Sequence, residues 1–198
     1  MNINEEMKSY AEHFNIVLDK FFATHPAKVE LIGQAVEYSI VDGGKRIRPI
    51  LVYMGAQLCG KEIESVDSLA LGIEMIHSYS LVHDDLPCMD NDELRRGKPT
   101  THKKFGEAMG VLAGDGLLNL AFETMLDSAE NLDDIKAVRY MAKCSGINGM
   151  IGGQVMDIFN NDRPMDMGDI WLLNSLKTSC LIKAALVGSC IKCGADDQ

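Results

Sequence analysis

The chain has 198 residues, of which 46% are hydrophobic and 24% are charged. This length is typical of one sizeable domain, and the apolar fraction is sufficient for a buried core. The formal net charge of −10 argues against a nucleic-acid partner whose affinity depends on neutralising phosphates.

The sequence indicates no membrane segment, targeting segment or disulfide framework. Asp115 and Lys183 interrupt the longest apolar stretches, which therefore fall short of the ~18 apolar residues of a spanning helix. The N-terminus also lacks the basic and then apolar layout of a signal peptide. Cys190 and Cys193 form a single C-x-x-C, and without further ligands this pattern favours reduced thiols over zinc. We therefore expect a cytoplasmic protein.

Apolar residues recur at helical spacing along nearly the whole chain, and strand-like alternation is absent. In the first helix the apolar stripe consists of Ile3, Met7, Tyr10, Phe14, Val17, Leu18 and Phe21. The spacing predicts helices over residues 2–23, 26–40, 49–58, 65–85, 105–128, 133–159 and 166–193, with a charged loop at 90–104. We therefore predict an all-α bundle of long helices.

Glycine and proline punctuate these predicted helices. Asp42-Gly43-Gly44 ends the second helix, and Pro49 opens the third in the first turn, where proline is tolerated. A further group of glycines is expected to let helices approach closely, namely Gly146, Gly149, Gly152 and Gly153.

The segment from residue 77 to residue 100 carries the strongest chemical signal. Asp84 and Asp85 end a predicted helix, and Asp90 follows in D-D-x-x-x-x-D spacing. Carboxylates at the negative end of a helix dipole are unfavourable unless a cation lies among them. Oxygen ligands of this kind favour Mg²⁺, and the alternative is a solvated acidic turn. An EF-hand is excluded because the glycine and the closing glutamate of its loop are absent.

Basic residues lie on both sides of this acidic turn in the sequence. Arg95 and Arg96 follow it, and guanidinium groups bind phosphate oxygens in a bidentate manner. Upstream, Gly44 and Lys45 open the segment G-K-R-I-R-P, in which Arg46 and Arg48 precede a helix start that favours anions. Its spacing is not that of a P-loop.

Two further positions extend the candidate site. His77 lies two helical turns before Asp84, on the same helix face and about 10 Å away. Lys177 and Thr178 are weaker candidates, because a lysine in an amphipathic helix is usually solvated. Together these residues indicate a metal site and two anion sites in an apolar bundle, which suits a ligand with a diphosphate head and an apolar tail.

Five segments in order resemble the trans-polyprenyl diphosphate synthases, and most closely the bacterial farnesyl diphosphate synthases (geranyltranstransferases). They are G-G-K-R-I-R-P at 43–49, H-D-D-L-P-C-M-D-N-D-E-L-R-R-G-K-P-T-T-H at 83–102, L-A-G-D at 112–115, G-G-Q-V-M-D at 152–157 and L-K-T at 176–178. The resemblance implies one domain over residues 1–198, corresponding to the N-terminal portion of the synthase. The implied fold has mostly antiparallel helices around a central apolar cavity.

The resemblance also implies a role for each candidate residue. Isopentenyl diphosphate would be bound by Gly44, Lys45, Arg48, His77 and Arg96. Mg²⁺ and the allylic diphosphate would be bound by Asp84, Asp85 and Asp90, with Arg95 on the same diphosphate. Lys177 and Thr178 would lie near the C–O bond that breaks. Tyr79, one turn before the aspartates, would limit the product to about C15.

The implied reaction ionises an allylic diphosphate with the help of Mg²⁺, after which isopentenyl diphosphate attacks the carbocation. The resemblance also implies a homodimer. The family also carries a second aspartate-rich motif in C-terminal helices, and nothing after Thr178 matches that motif, since Asp196-Asp197 lacks a third carboxylate. Asn174 and Asn91 are further departures. We therefore expect this chain to bind substrate weakly and to catalyse little or nothing.

Two alternatives remain open from the sequence. A class I terpene cyclase shares the metal chemistry but has no need of the basic isopentenyl site. A non-catalytic subunit that binds prenyl diphosphates would fit the missing motif, although the intact Asp84, Asp90 and Arg96 argue against it.

Overall fold

The computed structural model describes residues 2–41, 44–159 and 164–195, which form a helical bundle. Its α-helices are α1 (Ile3–Thr24), α2 (Glu30–Val41), α3 (Ile47–Leu58), α4 (Asp67–Asp84), α5 (Thr101–Phe105), α6 (Glu107–Asp127), α7 (Leu132–Ser145), α8 (Met150–Phe159), α9 (Met167–Asn174) and α10 (Cys180–Lys192). A 3₁₀ turn at Ile63–Val66 precedes α4, and a π-helical turn at Ser175–Ser179 joins α9 to α10. The predicted all-α class is confirmed.

Helix α1 shows how capping and apolar spacing define an element. Asn2 accepts a hydrogen bond from the backbone of Asn4, and Glu5 completes a capping box. The helix buries the stripe Tyr10, Phe14, Leu18 and Phe21 against the bundle. Ile3, which the stripe included, is 60% exposed because it lies beyond the edge of the core.

Helix α4 is the centre of the bundle and is buried on several faces. It packs against α1, α2, α3, α6 and α10. Its contact with α6 is close because a Cβ at Gly72 would lie 2.5 Å from Met125, and one at Gly114 would lie 2.0 Å from His83. The end of α4, which carries the aspartates, is thereby held in a fixed position relative to α6.

Several predicted boundaries differ from the structure by one or two residues, and the predicted helix 166–193 is divided by the π-helical turn. Three further differences are larger. The second helix begins at Glu30 rather than at Pro26, because residues 26–29 are exposed and have no apolar surface to cover. The predicted helix 133–159 is interrupted between Ser145 and Met150, where Gly146 leaves the helical conformation. The charged loop 90–104 contains α5 and a short antiparallel hairpin of β1 (Leu94–Arg95) and β2 (Lys98–Pro99).

Of the four glycines expected at helix contacts, Gly153 fulfils the prediction. A Cβ at Gly153 would lie 2.3 Å from the backbone nitrogen of Lys177, so α8 packs on the π-helical turn backbone to backbone. A Cβ at Gly149 or Gly152 would instead meet carbonyl oxygens of the preceding turn, and one at Gly146 would meet the Ala142 carbonyl. These three glycines allow the interruption between α7 and α8 rather than a contact between distant helices.

The continuous run Met167–Lys192 is long and apolar enough, by length and composition, to cross a membrane. Core helices of water-soluble proteins, which are mostly buried, meet the same criterion. Here the run packs on α3 and α7, and 17% of its apolar window is buried. The absence of a membrane span therefore stays a prediction.

Candidate functional site

The segments singled out in the sequence meet around a cavity of about 270 Å³ at one end of α4. The cavity lies where α4, α8, the start of α3 and the π-helical turn converge. It is lined by Arg48, His77, Tyr79, Ser80, Leu81, His83, Asp84, Met89, Met150, Ile151, Gln154, Lys177 and Thr178. Five of the predicted site residues, from three separate segments, therefore line one space: Arg48 at the start of α3, His77 and Asp84 on α4, and Lys177 and Thr178 in the π-helical turn.

The glycine-containing turn before α3 contacts the loop that follows the aspartates. Gly44 has a φ of +29°, and a Cβ on it would lie 2.7 Å from the Arg96 guanidinium. Arg96 itself has a φ of 54° next to Gly97 in the hairpin. The positive φ favours glycine at position 44, and a side chain there would also displace the flexible end of Arg96. Asp42 and Gly43, predicted to end α2, lie outside the described residues.

The basic residues of this turn have different environments. Arg46 is buried and donates hydrogen bonds to the carbonyls of Ile40 and Val41 and to the carboxylate of Glu74, at 2.8 to 3.0 Å. Arg48 faces the cavity, and its Nε is buried without a hydrogen-bond partner. Burial lowers the pKa of Arg48, and nearby Glu74 acts in the opposite direction. Arg48 is therefore the guanidinium available to an anion, whereas Lys45 is exposed beside the turn.

His77 is neutral and lies among the arginines that include Arg48 and Arg96. Burial lowers its pKa to about 3, and the surrounding arginines, of which Arg48 and Arg96 have the largest effect, lower it further. A neutral imidazole carries one N–H donor, which can bind a phosphate oxygen without adding charge. His77 and Arg48 therefore complement an anion in different ways.

Asp84 lines the same cavity as His77 and Arg48, and its negative charge is only partly compensated. Its carboxylate accepts a hydrogen bond of 2.6 Å from the Gln154 amide. Burial raises its pKa to about 6, Lys177 acts to lower it, and Asp90 raises it. The Asp90 backbone N–H donates to the Asp84 carbonyl at 2.8 Å, which closes the turn and brings the two carboxylate-bearing residues back together.

Asp85 is paired with Arg95 in this structure and not with the other two aspartates. It is 3% exposed and accepts hydrogen bonds from Arg95 Nε and Nη2 at 2.9 and 2.6 Å. Successive helical residues differ by 100° in direction, so Asp84 and Asp85 face different sides of α4. Within the residues that the structure describes, no three acidic, histidine or cysteine side chains are close enough to hold a metal ion. The assignment of Asp84, Asp85 and Asp90 as metal ligands therefore stays a prediction, with Asp85 paired to Arg95 in this arrangement.

Arg95 correspondingly forms ion pairs with other residues of the protein. Besides the bidentate pair with Asp85, its Nη2 lies 3.8 Å from the Asp92 carboxylate. It lines a separate cavity of about 120 Å³ together with Arg96. In this arrangement Arg95 positions the loop after the aspartates, and the predicted contact with an allylic diphosphate is not preformed.

The donor set beside the cavity still suits Mg²⁺. Asp84 lines the cavity, and the turn places Asp90 next to it. Both provide carboxylate oxygens, which this ion prefers, and Mg²⁺ commonly uses one or two carboxylates together with substrate phosphates. A carboxyl group whose pKa is raised to about 6 by burial is one that a nearby cation would stabilise in its ionised form. The residues present therefore fit the ion, with two protein ligands rather than three.

Lys177 and Thr178 lie in the π-helical turn Ser175–Ser179. Single π turns within α-helices occur frequently at functional sites. Lys177 forms an ion pair with Asp157 of α8, and both Lys177 and Thr178 line the cavity. Close packing of Gly153 on the backbone of Lys177 holds this turn against α8.

Sequence reasoning missed the roles of Gln154 and Asp157, which bind Asp84 and Lys177. The available signal was the segment G-G-Q-V-M-D, whose residues 153, 154 and 157 share one face of α8. Helical spacing alone cannot indicate which distant residue that face will meet. The π-helical turn gave no signal in the apolar pattern.

Two aromatic side chains form one wall of the cavity. The Tyr79 hydroxyl is buried without a hydrogen-bond partner, and burial together with Asp84 raises its pKa to about 12. The Tyr79 ring makes an edge contact with His83, with ring centroids 5.8 Å apart. The His83 ring of α4 packs against α6, where its Nε2 lies 3.1 Å from the Val111 carbonyl oxygen.

Comparisons with known proteins identify the family to which this chain is similar. Residues 29–198 match the Polyprenyl synthetase family model. The chain is 38% identical to the farnesyl diphosphate synthase of Escherichia coli over 190 residues, covering 94% of this chain and 64% of that protein. It is 44% identical over 178 residues to the large subunit 1 of a heterodimeric chloroplastic geranylgeranyl pyrophosphate synthase of Arabidopsis thaliana, covering 84% of this chain and 47% of that protein.

A solved structure gives the same result for the fold. A geranyltransferase from Legionella pneumophila superposes with a TM-score of 0.91 at 33% identity, covering 98% of this chain and 70% of that one. The chain thus spans less than two thirds of the length of either curated relative.

Proposed function

Because this chain belongs to the polyprenyl synthetase family, we propose that it acts in the condensation of isopentenyl diphosphate with an allylic diphosphate such as dimethylallyl or geranyl diphosphate. The observation that carries the proposal is a single cavity lined by a half-buried acidic group, Asp84, and by Arg48, whose buried Nε has no hydrogen-bond partner. Two diphosphate ligands would compensate both charges, one by binding the arginine directly and the other by binding the acidic group through a metal ion.

The basic side of the cavity is proposed to bind isopentenyl diphosphate. Arg48 contributes a buried Nε without a partner, and a diphosphate oxygen would supply the missing acceptor. Neutral His77 lines the same cavity, and Arg96 lies against Gly44 close to them. Lys45 is exposed next to this turn and would add positive charge at the entrance.

The acidic side is proposed to bind the allylic diphosphate, with Mg²⁺ held by Asp84 and Asp90. When bound, the ion neutralises the negative charge that develops on the departing diphosphate. Lys177 lines the cavity beside Asp84 and supplies a fixed positive charge for the same oxygens. Leu81, Met150 and Ile151 form apolar wall between the two sides, and such surface keeps water away from a carbocation.

The length of the product is proposed to be about C15, as in a farnesyl diphosphate synthase. The support is Tyr79, a bulky ring 5% exposed, which lines the cavity one turn before Asp84. The relatives named above include a farnesyl and a geranylgeranyl synthase, so a C20 product is the competing proposal. A homodimer is the assembly that the resemblance implies.

Binding experiments test this function without depending on turnover. We expect calorimetry to detect isopentenyl diphosphate bound without added metal, and an unreactive allylic diphosphate analogue bound more tightly with Mg²⁺. Arg48→Met should weaken the first ligand about 10- to 100-fold, because a charge-assisted bidentate contact is lost. Lys20→Met, which removes an exposed charge on α1, is the matched control.

The outcomes separate the three candidate functions. Metal-dependent binding of the allylic analogue with no binding of isopentenyl diphosphate would favour a terpene cyclase. Binding of both ligands in which Mg²⁺ does not strengthen the binding of the allylic analogue would favour the non-catalytic subunit. Binding that neither Mg²⁺ nor Arg48→Met changes would refute a prenyl diphosphate site in this cavity.

A further inference from the structure

Three cysteine thiols converge where the ends of α3 and α10 meet, at a place unrelated to the cavity described above. Cys59 caps the end of α3, and Cys190 and Cys193 lie in the last turn of α10 and directly after it. All three are free and half-buried. Cys59 contributes to raising the pKa of both Cys190 and Cys193, as expected for neighbouring thiols.

The packing of α3 on α10 explains this proximity. A Cβ at Gly55 would lie 2.8 Å from the Ser189 side chain, and the Ser189 hydroxyl donates to the Val52 carbonyl at 2.6 Å. One turn further along α3 lies Cys59, whose backbone N–H donates to the Gly55 carbonyl. The Cys190 sulfur lies 3.9 Å from the same carbonyl oxygen. Both cysteines are thus fixed on one backbone group from opposite helices.

We propose that Cys59 and Cys190 form a reversible disulfide that links the end of α3 to the end of α10. A thiolate of the pair attacks one sulfur of a small-molecule disulfide and releases one small thiol. The second cysteine then attacks the mixed disulfide and releases the other small thiol. Two protein thiols are oxidised and one small disulfide is reduced to two thiols, so atoms and electrons balance. This inference does not depend on the proposed function.

A pocket of about 410 Å³ reaches Cys193, next to the pair, and gives a small disulfide a path to this cluster. Its charged lining is mixed, because Lys192 is paired with Asp134 at 2.6 Å and both Lys61 and Glu130 also line it. Glutathione disulfide serves as the test oxidant. Burial and the neighbouring Cys59 raise the pKa of Cys190 to about 11, so oxidation should accelerate about tenfold for each pH unit between pH 7 and 9, as the thiolate fraction increases.

The test treats the reduced chain with glutathione disulfide and follows intact mass and peptide maps. We expect a loss of about 2 Da, a crosslinked peptide that contains Cys59 and Cys190, and reversal by dithiothreitol. The bond would close a loop of roughly 130 residues, so the melting temperature should increase by at least about 5 °C.

Variants keep the test specific. Cys59→Ser and Cys190→Ser should each abolish the increase in melting temperature, whereas Cys193→Ser and Cys180→Ser should retain it. Circular dichroism of each reduced variant checks that it folds. A disulfide that maps to Cys190 and Cys193, stable glutathione adducts without the crosslink, or no oxidation at pH 9 would each overturn the proposal.

Discussion

The basic turn before α3 and the acidic end of α4 use the same arrangement with opposite charges. In each region two like-charged residues are close in sequence, and one of them is paired inside the protein. Arg46 is paired with Glu74, and Asp85 with Arg95. The other members, Arg48 and Asp84, face the cavity with their charges only partly compensated.

The difference shows how a site can be both rigid and reactive. The paired residues hold the backbone, because a buried charge that loses its partner is very unfavourable. The residues that face the cavity are held in an unfavourable state that a ligand of opposite charge would relieve. Removal of a paired residue should therefore reduce stability, and removal of a cavity-facing residue should not. Four substitutions test this comparison.

The largest effect is expected from Glu74→Gln. Arg46 is 5% exposed and would keep its charge without a counterion, so the free energy of unfolding should fall by about 3–5 kcal/mol. Denaturant unfolding measures the change. Glu93→Gln breaks a pair with exposed Lys103 and serves as the control, with unchanged stability expected. Equal effects of the two substitutions would contradict a structural role for the Arg46 pair.

Asp85→Asn should have the next largest effect. The substitution weakens the bidentate contact with Arg95, which is one third exposed, so we expect a loss of about 2 kcal/mol. Asp92→Asn removes the longer and more exposed contact of the same arginine and should have little effect. If Asp85→Asn instead leaves unfolding unchanged, Asp85 is free for another ligand and the two-ligand metal site is wrong.

Asp84→Asn should increase stability in a manner that depends on pH. The pKa of Asp84 is raised from 3.8 to about 6 in the folded chain, so the native state binds this proton more tightly than the unfolded state. Its ionisation therefore removes stability as the pH rises from about 4 to 6. With a discount for solvent screening, the variant should gain about 1 kcal/mol at pH 7 without Mg²⁺.

The gain from Asp84→Asn should disappear below pH 4, where the carboxyl group is protonated in both states. Thermal unfolding between pH 3.5 and 7 measures it, with Asp19→Asn on the exposed surface of α1 as the control. A variant that is less stable at pH 7 than the parent chain would place Asp84 among the paired residues.

Arg48→Met should have the smallest effect on stability, within about 0.5 kcal/mol. The methionine removes a desolvated guanidinium whose Nε has no partner and retains part of the apolar stem. Differential scanning calorimetry of the unliganded chain provides the measurement. A loss above about 2 kcal/mol would indicate a structural role, and the comparison between Arg46 and Arg48 would then fail.

Much of the fold was predictable because apolar spacing specifies helices directly. The stripe of α1 and the long central helix follow from periodicity alone, and Gly44 was identified by its place in a tight turn. The division of labour between Asp84 and Asp85 was not predictable, since it depends on which side of α4 meets Arg95. The partners of Asp84 and Lys177 come from α8, about 70 and 20 residues away in the sequence, and no local pattern encodes such a meeting.

Because of the π-helical turn at Ser175–Ser179, the side chains of α10 are rotated about the helix axis relative to those of α9. An extra residue within a turn shifts every later side chain by about 100° around the helix axis. Residues before Lys177 can therefore follow the surface of α8, while Gly188 and Ser189 independently meet Met141 and Gly55. Deletion of one residue here would restore a regular α-helix and rotate the last three turns away from α3. The π-helical turn thus allows one continuous helical run to pack on both α8 and α3, which require different rotations about its axis.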